Sequence, residues 1–317
     1  MIAKLMITGE RRSGTTRLAN ILNAQTGITI YRDFLQIERI KSRLNIKTLN
    51  ENLLPATKRR LVRSFEFDDN ADLGISMDIS ADDFSTLLEF YTFVLEKIAS
   101  PTDILVGHKT TMALGITPEL LTRVPELRSI FVIRDPRDMV ASALKLGWSN
   151  AFELAEAWQN ATEAAQSIQK DERFCNRFMI IRFEDLVGCP DIVLEQLASF
   201  LGIDNLRAPE TMTDYSGEWR NNSSFGDLTG NIDSAPVGRW SRSNPEAGHA
   251  VELVLGPKLY KIGYARSSGF SFPLFLRLWS RWTLYRVLRR VGFRVTQFET
   301  KLLAPMRKRV SSFPQRE

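Results

Sequence analysis

Thr8-Gly9-Glu10-Arg11-Arg12-Ser13-Gly14-Thr15-Thr16 follows directly on the apolar run Ile2-Ala3-Lys4-Leu5-Met6-Ile7 and leads into the apolar stretch from Leu18 to Leu22. The order is strand, glycine-bracketed loop, helix. Backbone N–H groups of such a loop and of the helix start converge on one point and hold an anion there. The stretch therefore predicts a phosphate cradle at the carboxyl end of the first strand, and with it an α/β fold.

Further apolar runs at 27–31, 104–109, 129–133 and 178–181 read as four more short strands. Helical spacing of apolar residues recurs at 120–124, 139–146, 152–169 and 192–201, and 34–100 reads as mostly helical with polar turns such as Phe67-Asp68-Asp69-Asn70. Strands that are continuously apolar and alternate with helices predict a mostly parallel central sheet covered on both faces, a three-layer sandwich. Ligands of such sheets bind outside the carboxyl ends of the strands. The polar motifs of this chain follow strand ends, so they are expected to converge.

With 317 residues, 44% hydrophobic and 25% charged, the composition is that of an ordinary globular protein. Its formal charge of +5 is unevenly placed. Residues 266–317 hold twelve basic and two acidic side chains, a net of +10; the 30 basic and 35 acidic groups before them sum to −5. The negative body argues against a nucleic-acid partner. Cys175 and Cys189 have no metal-ligand spacing, and neither a signal peptide nor a spanning segment is read, so a cytoplasmic location is expected. Residues 1–265 are read as one domain, with a helical acceptor-side insertion at about 34–100, and 266–317 as a basic amphipathic tail.

The spacing Gly9-x4-Gly14 fits a P-loop, yet Thr15 stands where nucleotide hydrolases carry lysine, and the nearest cation is Arg12. That displacement argues for a loop not built around ATP and magnesium. A second motif, Phe131-Val132-Ile133-Arg134-Asp135-Pro136-Arg137-Asp138 followed by Ser142, puts an arginine fork at a strand end. Ser142 lies two turns along the next helix. Two separated anion sites suit a nucleotide with phosphates at both ends of its ribose. Each motif alone has a plainer reading: Gly14-Thr15-Thr16 as a left-handed turn and N-cap, Arg134-Asp135-Pro136 as a strand-to-turn transition.

Together the motifs resemble sulfotransferases that use 3′-phosphoadenosine 5′-phosphosulfate (PAPS). Arg12-Ser13-Gly14-Thr15-Thr16 resembles their 5′-phosphosulfate loop, and Arg134 with Ser142 their 3′-phosphate site. Arg182-Phe183-Glu184-Asp185-Leu186 and Val237-Gly238-Arg239-Trp240 are similar to two later segments, in the right order. The resemblance implies that Arg239 also reaches the 3′-phosphate, that Phe183 lies near the adenine, and that the products are PAP and a sulfate ester, with no metal. It implies that Arg12 stabilises the bridging oxygen and that Lys109 sits near the sulfuryl group. A general base is expected as well. Some members use a histidine where this chain has Thr111; members acting on carbohydrates use a glutamate shortly after the second strand, where Asp33 stands. Asp33 is therefore the expected base, an N-cap role being its alternative and His108 the other candidate, and a glycan or glycolipid the expected acceptor.

In the tail, Phe275, Leu278, Trp279, Trp282, Tyr285 and Leu288 recur at helical spacing among five arginines from Arg277 to Arg290. An anionic membrane surface and packing on the domain are both open readings. A P-loop nucleotide kinase or NTPase, and a non-catalytic PAP- or membrane-binding protein, are the rival functions.

Overall fold

The computed structural model describes residues 2–33, 35–65, 79–148, 150–218, 230–232, 234–267 and 270–290. The turn read at 67–70 and the tail beyond 290 lie outside them. The strands are β1 (Ala3–Gly9), β2 (Ile28–Arg32), β3 (Leu105–Lys109), β4 (Leu127–Ile133) and β5 (Phe178–Arg182). Before β4 come α1 (Thr15–Asn23), α2 (Ile37–Arg43), α3 (Pro55–Ser64), α4 (Leu87–Ile98) and α5 (Thr117–Arg123). Then follow α6 (Pro136–Lys145), α7 (Ala151–Lys170), α8 (Phe183–Gly188), α9 (Pro190–Leu201), α10 (Trp240–Ser243), α11 (Pro245–Leu255), α12 (Pro257–Lys261) and α13 (Phe272–Arg290).

The chain divides into two compact units. The first, Met1–Asp135 with Asn160–Val237, holds a five-stranded sheet in the order β2-β3-β1-β4-β5, parallel throughout. Alternation along β1 sends Leu5 and Ile7 to one face, where they meet Leu18, Ile21 and Leu22 of α1 and Leu194 and Leu197 of α9. Each such fully buried side chain contributes about 1.5–3 kcal/mol, an upper figure because the unfolded chain already hides part of its surface. Met6 and His108 take the opposite face. There the His108 ring lies 3.1 Å from the Tyr91 hydroxyl of α4, both groups buried. Helices thus cover both faces of the sheet, as the continuous apolar strands require.

From β1 the chain leaves toward β2 and from β4 toward β5, so the crevice between β1 and β4 is a topological switch point. Register sets Gly9 beside Val132, and Ile7 and Arg32 beside Lys109, so the carboxyl ends of four strands are level.

The second unit comprises Pro136–Gln159 and Gly238–Glu317. Its α6 starts at Pro136, three residues earlier than the apolar spacing suggests, because proline suits a first helical turn, where its missing N–H costs nothing. The tail helix α13 is packed on this unit rather than hanging from it. Leu278 and Tyr285 are buried, Trp282 stacks on Tyr285 (centroids 5.5 Å apart) and tilts against Phe152 at 5.3 Å. The Tyr285 hydroxyl donates to Glu156 at 3.2 Å, and burial next to that carboxylate pushes its pKa up to about 12. Arg277 and Arg281 each lie 3.0 Å from Glu246, and Arg289 pairs with Glu156. Trp279, read with the packed stripe from sequence, instead shares an outward face with Phe272, Leu276 and Val287.

Candidate active site

The loop after β1 is built by backbone strain and close approach. Ser13 N–H donates to the Glu10 carbonyl at 3.1 Å, and Arg12 is held at φ 69°, a left-handed conformation that costs a non-glycine residue energy. Gly14 follows at φ 101° as the N-cap of α1, and no side chain caps that helix start. A Cβ at Gly14 would lie 2.2 Å from the Phe183 ring, so only glycine fits. A Cβ at Gly9 would meet the Val132 carbonyl and Ser13 Oγ, each at 2.6 Å. Ser13 Oγ is buried without a hydrogen-bond partner. A hydroxyl orphaned in a loop at a helix N-terminus fits a donor to a bound anion. Burial raises the Glu10 carboxyl's pKa, and the charge of Arg11 opposes that rise.

Arg134, at the end of β4, braces this loop. Its guanidinium donates to the Arg12 carbonyl at 3.2 Å and to the Pro236 carbonyl at 2.7 Å, and lies 4.5 Å from the Phe183 ring centroid. Phe183 is 2% exposed and sits beneath Gly14 and Arg134 within the core cluster. Its observed contacts support the loop, where the family resemblance implied a neighbour of the adenine. The next residue was missed by sequence reasoning: Glu184 accepts the Asp135 N–H at 2.8 Å and so fixes the end of β4. Burial raises the Glu184 pKa. Only the aromatic-Glu-Asp-Leu string marked that carboxylate, and nothing local gave it a partner 49 residues away.

A third group forms at the ends of β2 and β3. Lys109 Nζ donates to Asp33 Oδ1 at 2.5 Å, while the Asp33 N–H donates to the Lys109 carbonyl at 2.8 Å. Asp33 stands at φ 54°, so this side chain too is held by a strained backbone. Lys109 is 3% exposed and the Asp33 side chain 52%, which leaves the carboxylate open to a partner molecule. Burial lowers the Lys109 pKa, Asp33 opposes that, and the charges of Arg32 and Arg12 lower it further. Arg12, whose own pKa is lowered by burial, therefore shares its field with Lys109. The following loop is tied to β1 by Met112 N–H to the Gly9 carbonyl at 3.0 Å and Ala113 N–H to Thr8 Oγ1 at 3.2 Å. His108 is engaged with Tyr91 on the other face of the sheet, which separates it from this cluster.

Thus the first unit gathers Arg12, Ser13, Gly14, Thr15 and Thr16 with Asp33, Lys109, Arg134 and Phe183 at the carboxyl edge of its sheet. The second unit carries Ser142, buried on α6, and Arg239, half-buried at the start of α10. Among the described residues, no group of three or more His, Cys, Asp or Glu could hold a metal ion, and no helix is long and apolar enough to cross a membrane.

A model of the Sulfotransferase family matches residues 4–207. The chain belongs to the sulfotransferase family. The span runs from β1 through α9 and ends before Gly238-Arg239-Trp240. Two solved structures share the fold. The sulfotransferase domain from the Synechococcus PCC 7002 olefin synthase is 15% identical, with 84% of this chain and 96% of that one covered and a TM-score of 0.50. The sulfotransferase domain from the curacin biosynthetic pathway is 19% identical, with 84% and 99% covered and a TM-score of 0.52. At such identities the likeness is one of fold. No curated protein matches the sequence. Sulfuryl transfer is the reaction class of this sulfotransferase.

Proposed function

We propose that this sulfotransferase moves the sulfuryl group of PAPS to a hydroxyl of a carbohydrate or glycolipid, releasing PAP. The observation that carries the reading is the Asp33–Lys109 pair beside the Arg12 loop, with Ser13 Oγ buried and unpartnered in that loop. Asp33 takes the proton of the acceptor hydroxyl; its oxygen attacks sulfur in line with the bridging oxygen of the 5′-phosphate. The sulfur–oxygen bond to that phosphate breaks, and PAP leaves with the electron pair. Arg12 meets the charge growing on the bridging oxygen, and Lys109 the sulfuryl oxygens. The transferred group carries one negative charge, so positioning and side-chain cations supply the stabilisation. Ser13, Gly14, Thr15 and Thr16 hold the 5′ end of the donor. By the family resemblance, Arg134, Ser142 and Arg239 take the 3′-phosphate. A carboxylate at the end of the second strand is what favours a carbohydrate acceptor.

Radiolabelled sulfate transfer from PAPS to glycans, glycolipids, phenols and steroids tests the acceptor. Label on glycans or glycolipids is expected; label on phenols or steroids alone overturns that class. A thermal shift tests the donor. PAP without magnesium at a hundredfold its dissociation constant adds about 2.7 kcal/mol of stability, and ATP with magnesium adds less. The reverse order would assign the loop to a nucleotide kinase or NTPase.

The sulfotransferase also meets an anionic membrane from the cytoplasmic side, through α13. Phe272, Leu276, Trp279 and Val287 are exposed on one face of that helix, and residues 266–317 carry a net charge of +10. An apolar stripe with tryptophan on a basic segment suits a lipid interface. Arg277, Arg281 and Arg289 are engaged with Glu246 and Glu156, so the attraction rests on the segment as a whole. Deleting the tail would uncover Phe152 and Glu156, on which Trp282 and Tyr285 pack, so the informative variant is the full chain with Trp279→Ser and Val287→Ser. Wild type is expected to sediment with phosphatidylglycerol vesicles and not with phosphatidylcholine alone, and the variant with neither. Equal sedimentation of both proteins removes the idea.

A further inference from the structure

The second unit contains a carboxylate that the proposed reaction does not use. Asp138, the third residue of α6, is 2% exposed. Its Oδ2 accepts the N–H of Gly238 at 2.7 Å and its Oδ1 the N–H of Trp240 at 2.8 Å. The two donors flank Arg239. A single buried side chain therefore grips the backbone on both sides of that arginine with charge-assisted hydrogen bonds, the stronger kind.

The rest of the turn is immobilised in the same manner. Gly238 stands at φ 67°, which turns the chain, and Arg239 enters α10 with helical angles. The Trp240 ring packs so closely on α11 that a Cβ at Gly248 would lie 2.1 Å from it. On the ring lies the Arg137 guanidinium, 4.7 Å from its centroid, which is itself held by Glu252 at 2.7 Å and the Ala265 carbonyl at 2.8 Å. Asp138 and Ser142 are four residues apart on α6 and so share a helix face. The turn bearing Arg239 is thus fastened one helical turn from Ser142.

We infer that Asp138 is a positioning residue that fixes Arg239 for the donor's 3′-phosphate, and so makes the enzyme distinguish PAP from adenosine 5′-phosphate. This rests on the assignment of Arg239 to the 3′-phosphate made above. The neighbouring Arg137 serves the same turn from its other side, by holding the Trp240 ring. Of the polar residues in Arg134-Asp135-Pro136-Arg137-Asp138, two thus organise the turn of a second arginine remote in sequence.

Calorimetric titration of the full chain with PAP and with adenosine 5′-phosphate tests the inference. Asp138→Asn keeps the size of the side chain but replaces one acceptor oxygen by an amide that cannot accept. Loss of a hydrogen bond to a charged group predicts PAP binding weaker by about tenfold or more, with adenosine 5′-phosphate binding unchanged within about twofold. In an Arg239→Ala background, Asp138→Asn is expected to add nothing, because the residue acts through Arg239. Equal weakening of both nucleotides shows a general structural role and overturns the inference, as does unchanged PAP binding. If Asp138→Asn does not fold, Asp138→Glu retains both acceptor oxygens but shifts them by one methylene. It is expected to produce a smaller loss confined to PAP, and an equal loss for both nucleotides again overturns the inference. Arg239→Ala separates the two levels of argument. If it preserves the preference for PAP, the assignment of Arg239 itself fails, and the role of Asp138 with it; if it abolishes that preference while the Asp138 variants keep it, only the positioning role fails.

Discussion

Asp33→Asn is expected to lower turnover by about 10²–10⁴-fold while PAP binds as tightly as to wild type, because the amide cannot take the acceptor's proton. The Lys109 pair supplies a competing explanation that pH can separate. Asp33 works against burial to keep the Lys109 pKa up, so its removal drives that pKa further below the ordinary lysine value. If activity were lost only because Lys109 became neutral, lowering the pH would recharge the lysine and restore turnover. If Asp33 is the base, the loss persists at every pH at which the protein is folded. Turnover profiles of the variant and wild type across the folded range decide between them. Near-wild-type turnover of Asp33→Asn at neutral pH removes Asp33 from the mechanism altogether.

Gly14→Ala is expected to abolish donor binding. Two independent costs fall on the one methyl group: a backbone at φ 101° that an L-residue rarely adopts, and a ring 2.2 Å from the new Cβ. Overpacking of this kind costs about 1–3 kcal/mol, to which the backbone strain adds. Relief by rotation of Gly14 would redirect the loop's N–H groups away from the anion. The variant should therefore melt several degrees below wild type and show no thermal shift with PAP. Adding Phe183→Leu removes the ring and is expected to recover part of the melting temperature but not PAP binding, since the φ strain persists. A Gly14→Ala protein that melts and binds PAP like wild type would show that the loop is not the cradle.

Much of the fold was legible because its signals are local. The apolar runs of β1, β3, β4 and β5 are each long enough to mark a strand, and Gly9 and Gly14 bracket a turn whose close approaches leave no room for a Cβ at either glycine. Arg12, Asp33, Lys109, Arg134 and Phe183 also lie within a few residues of a strand end, which is visible without coordinates. The start of α6 was misplaced because Pro136 adds no apolar periodicity, although proline itself marks a first helical turn. The tail had the opposite difficulty. Its apolar residues lie on two faces of one helix, and spacing alone merges Trp279 with Leu278 and Tyr285; contact with Phe152 and Glu156 separates them.

By itself, then, the sequence determined the parallel α/β architecture, the glycine-bracketed loop between the first strand and helix with Arg12 as its nearest cation, and the sulfotransferase family to which these belong. Tertiary structure alone decided which charges meet. Lys109 and Asp33 are 76 residues apart and pair because β2 and β3 are neighbours in register; Asp138 reaches the residues flanking Arg239 across about a hundred. Local patterns report the solvent preference of each residue, whereas a partner across the chain depends on strand order and on the seating of helices, which only the assembled core specifies.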